Sequence, residues 1–168
     1  VGEWLALTGE TIGAGDALAS GLADGCVPAS AQEALWQALG QQHFGNAQQV
    51  QQLIATKFVA ADADRLCTRA EMDHYFSLPT VGAIVGALEA SDSPWAQATA
   101  ATLRKRSPLM LHVVLEQVRR ARSMGLADDL RMERDMVRHC FHLRPGQSET
   151  LEGIRALAVD KDHTPRWQ

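Results

Sequence analysis

The sequence predicts a mainly α-helical fold, and three observations predict it. Apolar residues recur at i, i+3 and i+4 along most of the chain, the period of one face of a helix. Capping residues and glycines punctuate those stripes where helices begin and end. No run alternates apolar and polar residues, or shows the buried-strand pattern, that a sheet of its own would need.

Taken in order, residues 2–9 (GEWLALTG) predict a short helix carrying Trp4, Leu5 and Leu7 and stopped by Gly9. Residues 13–21 predict a second, with Asp16 near its start and Gly21 closing it. Residues 22–28 predict a brief extended segment, because Val27 precedes Pro28 and a residue before proline avoids the helical region. Residues 30–42 place Ala31, Leu35, Ala38 and Leu39 on one face, and residues 47–58 do the same with Val50, Leu53, Ile54 and Phe58. The glutamines between them (Gln48, Gln49, Gln51, Gln52) read as the solvated side of a helix. Residues 61–76 predict a helix with Leu66, Met72 and Phe76 inward, ended before Pro79. Thr80 caps a helix over 80–89, whose Val81, Ile84, Val85 and Leu88 hold helical spacing. Ser91 or Ser93, with Pro94 at the first position, starts another that runs to Arg106. Ser107-Pro108 starts a long helix with Leu111, Val114, Leu115 and Val118 inward and Arg119, Arg120 and Arg122 outward. Residues 128–139 supply Leu130, Met132, Met136 and Val137.

Composition limits the function classes. At 168 residues the chain fits one domain able to bury roughly two-thirds of its surface. A net charge of −4 without a basic block gives no footprint for nucleic acid or an anionic membrane surface. No run of about 18 apolar residues offers a membrane-spanning helix. Cys26, Cys67 and Cys140 are odd in number and far apart, so reduced thiols and a cytoplasmic setting are expected. The chain opens Val-Gly-Glu-Trp inside a predicted helix, which leads us to expect a fragment.

The last stretch, residues 147–168, is the most specific. Ser148 caps a helix with Glu149 and Glu152 in its first turn, where the dipole favours negative charge. Ile154, Leu157 and Ala158 follow at i, i+3 and i+4, an apolar stripe expected to face a core. The helix runs into Asp160-Lys161-Asp162-His163, then Pro165 and Trp167. A Glu-Gly-x-x-Ala helix followed by Asp-Lys-Asp-x-x-Pro-x-Trp resembles the tail of the 3-hydroxyisobutyryl-CoA hydrolase branch of the enoyl-CoA hydratase/isomerase (crotonase) superfamily. The run LALTGETIGAGDALASGLADGCVP resembles a second stretch shared across that superfamily. So do Phe76 before Thr80-Val81 and the Ser-Pro start of the long helix. One departure stands out: Arg144 to Leu151 replaces a compact approach to Glu-Gly, with Leu151 where Phe is common. That departure lengthens the preceding loop and alters the wall beside it.

The resemblance covers the whole chain but only the helical C-terminal half of a crotonase fold, without the ββα spiral core. It implies that residues 1–28 end that core and residues 29–168 form the C-terminal helical region. It implies a parent enzyme that hydrolyses a short 3-hydroxyacyl-CoA thioester in valine breakdown, without a metal or redox cofactor. Two backbone N–H groups would hold the thioester oxygen, and a Glu and an Asp would manage protons and water. Those groups belong to the other half, so no catalytic residue is expected here and the chain alone is expected to be inactive. Its expected partners are the acyl-CoA substrate together with the N-terminal half, and further copies of itself through uncovered apolar surface. For coenzyme A phosphates the resemblance points to Lys161, with Arg166 behind it; the alternative is that Lys161 pairs with Asp160 or Asp162. Alternatives for the whole are an enoyl-CoA hydratase or isomerase, or a free-standing helical interaction module.

Substitute chemistry is weak. His139 and His142 flank Cys140 three residues apart, but a metal needs three or four convergent ligands. Ser107 has no His–acid pair and reads as a helix cap. The glycines of residues 9–15 follow a helix rather than a strand, which excludes a dinucleotide loop. Met132 and Met136 read as core.

Overall fold

The computed structural model describes residues 1–63, 69–142, 144–146 and 148–167. Among the described residues ten α-helices follow one another: α1 Gly2–Thr8, α2 Ala14–Ala19, α3 Gln32–Gln41, α4 Ala47–Ala55, α5 Arg69–Phe76, α6 Val81–Glu89, α7 Pro94–Arg104, α8 Pro108–Ala121, α9 Leu126–His142 and α10 Glu149–Ile154. Among the described residues there is no strand, only one antiparallel bridge between Cys26 and Val59. That bridge lies where an extended segment before Pro28 is expected.

The starts and stops obey the capping logic. Asn46, Thr80, Ser93 and Ser107 each accept a backbone N–H from the first turn of α4, α6, α7 and α8. Gly9 closes α1 in the left-handed region at φ 67, a conformation that disfavours any residue with a Cβ. Residues 61–63 are not helical and α5 is described from Arg69; Leu66 and Cys67 lie outside the described residues. α9 outruns its expected end by three residues and continues to His142.

The chain divides into two compact units, Val1–Glu10 with Glu71–Gln168, and Thr11–Ala70. In the first, α1 packs against α7 and α8, and α6 against α7. Met72, Phe76, Ile84, Leu88, Leu103 and Leu115 are buried there. Arg119 fastens the turn after α5 by donating to the carbonyls of Pro79 at 2.7 Å and Leu78 at 2.6 Å. Arg122 pairs with the nearly buried Glu3, tying α8 to α1.

The second unit holds together differently. Its predicted helix faces on α3 and α4 are only half-buried, and none of its described apolar residues joins the buried core. Close backbone approach substitutes for bulk. A Cβ on Gly15 would sit 1.9 Å from the carbonyl oxygen of Asp62, and one on Gly25 would sit 2.2 Å from the Phe58 ring.

Two expected faces are corrected. Ile154 and Leu157 are 42% and 64% exposed and Ala158 is exposed too, while Ala156 is buried. The cause is local: residues Arg155–Val159 form a π-helical turn, which takes an extra residue per turn and breaks the i, i+3, i+4 register. On α9, Leu130 and Val137 lie exposed at 56% and 57%, and Met132 and Met136 are half-buried rather than core.

Candidate functional site

The tail after α10 is built around Arg155. Its guanidinium grips Glu152 with two parallel bonds, 2.9 Å from Nε and 2.8 Å from an Nη, the fork geometry that a carboxylate matches. The other Nη donates to Asp162 at 2.8 Å and to Asp160. The carbonyl of Thr164 accepts a further bond at 3.2 Å. The chain therefore doubles back on one side chain. Asp162 fixes the turn by accepting the Thr164 N–H at 2.8 Å, and the Arg166 N–H donates to Glu152 at 2.7 Å.

These bonds shift the acids. The Arg155 hydrogen bonds, then the Arg166 N–H, hold the Glu152 carboxyl down at about 2. Asp162 is lowered by Arg155 and by the Thr164 N–H. Arg155 itself is raised by its three carboxylates.

Among the described residues, Lys161 and His163 are the two non-glycine residues with positive φ, at 56 and 53. Non-glycine residues avoid that region unless surroundings impose it, and here the Arg155 knot does so. Because Asp160 and Asp162 both face Arg155, Lys161 is left exposed with no ion-pair partner among the described residues. Asp160 and Asp162, the two partners weighed for Lys161, both pair with Arg155 instead. Arg166 lines a cleft of about 340 Å³ with Glu152, Arg155 and Gly146. Trp167 closes the tail: its indole N–H donates to the Lys105 carbonyl at 3.3 Å, and its ring lies 3.4 Å from where a Gly153 Cβ would stand.

Sequence reasoning missed Arg155, whose place in the Glu-Gly-x-Arg run was readable but whose partners beyond Glu152 lie five to nine residues on. It also missed Glu149. That side chain is buried, and its carboxylate accepts the Ser107 hydroxyl and, at 3.2 Å, the Leu109 N–H, so it caps α8 rather than its own helix. Ser107 in turn accepts the Met110 N–H at 3.0 Å, as a cap should. Beside Glu149 a cavity of about 530 Å³ opens between Leu109, Met110 and Val113 of α8 and Met136 and Cys140 of α9. Among the described residues no three His, Cys, Asp or Glu side chains converge as a metal site would require. No described helix is long and apolar enough to cross a membrane.

The profile of the family described as "Enoyl-CoA hydratase/isomerase" matches residues 1–168. The chain belongs to that family. "3-hydroxyisobutyryl-CoA hydrolase-like protein 5" of Arabidopsis thaliana is 31% identical over 174 residues, covering 99% of this chain and 45% of that protein. A solved enoyl-CoA hydratase from Rhodobacter sphaeroides 2.4.1 superposes with a TM-score of 0.76 at 36% identity, over 99% of this chain and 46% of that one. A carnitinyl-CoA dehydratase from Mycobacterium thermoresistibile gives 0.77 at 32% identity. The chain thus spans about half the length of the relatives it matches. Helical, and without strands among its described residues, it is the helical C-terminal half of the crotonase fold.

Proposed function

We propose that this chain is the C-terminal part of a CoA-thioester hydrolase of the 3-hydroxyisobutyryl-CoA type. The observation that carries this reading is the similarity of the whole chain to a relative of that name, at 31% identity over 99% of its residues. In the proposed reaction water adds to the thioester carbonyl, the C–S bond breaks, CoA leaves as the thiol, and a carboxylate and a proton remain. The other half of such an enzyme supplies the oxyanion donors and the acid–base carboxylates; this half covers the acyl-CoA and is inactive alone. No metal or redox cofactor is required by that hydrolysis. Valine breakdown is the setting, and reduced cysteines support a cytoplasmic one, which fractionation of the source cells checks.

Lys161 and Arg166 are proposed to meet the CoA phosphates. The unpaired, exposed Lys161 ammonium and the position of Arg166 on the neighbouring cleft support this. A second reading, hydration of an enoyl-CoA, is supported by the similarity to a solved enoyl-CoA hydratase and a carnitinyl-CoA dehydratase.

Loss of the thioester absorbance of 3-hydroxyisobutyryl-CoA separates these outcomes. We expect none with this chain alone and turnover when a strand-bearing N-terminal half is joined to it. Turnover by the chain alone would overturn the assignment of catalysis to the other half. Consumption of an enoyl-CoA double bond with the thioester intact would select the hydratase reading.

A further inference from the structure

The cavity between α8 and α9 has a composition that the hydrolase reading does not use. Its walls are apolar: Leu109, Met110, Val113, Met136 and Cys140, with the Cys140 thiol 3.7 Å from the Met110 sulfur. At about 530 Å³ it falls within the range of small-molecule sites, which run from roughly 300 to 1,000 Å³. Its exposed lining residues are of another kind. His139 and Arg144 border the chamber, and neither has a hydrogen-bond or ion-pair partner among the described residues. The one acid on the lining, Glu149, accepts from Ser107 and the Leu109 N–H, and forms no ion pair with Arg144 among the described residues. Arg144 reaches this border from the loop between α9 and α10.

An apolar chamber with an unpaired guanidinium at its border is complementary to an amphiphile with an anionic planar head. We propose that this cavity binds an aliphatic carboxylate, with the alkyl chain among Val113, Met136 and Cys140 and the carboxylate on Arg144, His139 donating beside it. The cavity adjoins the Arg166 cleft across Ser148 and Glu149, and the proposal does not depend on the thioester reading.

Decanoate is the probe, decanol its neutral counterpart, and calorimetry and cysteine alkylation the readouts. Saturable decanoate binding is expected, with decanol and the Arg144→Gln variant each at least tenfold weaker, the loss of one charge-assisted bond. Bound decanoate is expected to slow alkylation of Cys140, followed by peptide mass, at least tenfold while leaving Cys26 unchanged. Val113→Phe, which fills the chamber, is expected to abolish binding with the helical circular dichroism retained. Absence of saturable binding, an unprotected Cys140, or wild-type affinity in Arg144→Gln would each overturn the proposal. Cys140 protection is measured on the unaltered chain, so a misfolded variant does not decide the matter. Neither readout involves thioester turnover, so failure here leaves the hydrolase reading standing.

Discussion

The Arg155 guanidinium is shared by three carboxylates and a carbonyl, and no neighbouring side chain can replace it. Arg155→Gln keeps a polar side chain but loses the charge and the fork that grips Glu152. It should release the tail, seen as loss of the distinct indole N–H resonance of Trp167, while the core helices stay intact. Acid should do the same. Glu152 is held at about 2 against an ordinary 4.5, and Asp162 is also lowered, so the folded tail binds protons less readily than the unfolded one. Their contribution is complete above the ordinary carboxylate range and is lost as pH falls from there toward about 2. Following the Trp167 indole through an acid titration checks it; a tail unchanged down to pH 2 would contradict the sign. Gly153 gives the opposite kind of prediction. An added methyl would reach only ordinary contact with the Trp167 ring, at 3.4 Å, within a helix where glycine is unfavourable. Gly153→Ala should therefore hold or raise stability, by up to about 1 kcal/mol on thermal unfolding.

Helices here are held as much by each other's ends as by their own propensities. Ser107 starts α8 and also donates to Glu149 at the start of α10, so one hydroxyl fixes two elements. Ser107→Ala removes a cap and leaves a buried carboxylate short of a donor. We expect a loss of about 2 kcal/mol, more than an exposed cap such as Thr80 would cost, measurable by urea unfolding. Gly15→Ala should cost more than overpacking ordinarily does, roughly 1–3 kcal/mol or above, because the clash is with the Asp62 backbone rather than a mobile side chain. Much of this level is legible in sequence. Thr80, Ser93-Pro94 and Ser107-Pro108 mark helix starts that the structure places at the next residue, since a cap acts through its immediate neighbours. The π turn at Arg155–Val159 was not legible. It follows from carboxylates five and seven residues ahead pulling on one guanidinium, which no local periodicity encodes.

At the scale of the molecule, α9 is the element with most left uncovered: seventeen residues and none of them buried. Leu126, Leu130, Val137 and Phe141 lie along one side of it, exposed. These exposed apolar side chains, interrupted by Glu133 and Arg134, lead us to predict association between copies of this chain. We expect hydrophobic-dye binding and concentration-dependent light scattering, both reduced in Leu130→Glu with little change in thermal midpoint. A dye-silent compact monomer would contradict this. The sequence by itself determined the helical class, the helix starts and the family, because periodicity, caps and the Asp-Lys-Asp-x-x-Pro-x-Trp tail are all local patterns. Only the tertiary structure decided that Arg155 organises that tail, that Glu149 caps a helix forty residues away in sequence, and that the stripe after α10 faces outward. Those facts depend on which chain segments meet in space, and a one-dimensional pattern records how a face is composed but not what comes to lie against it.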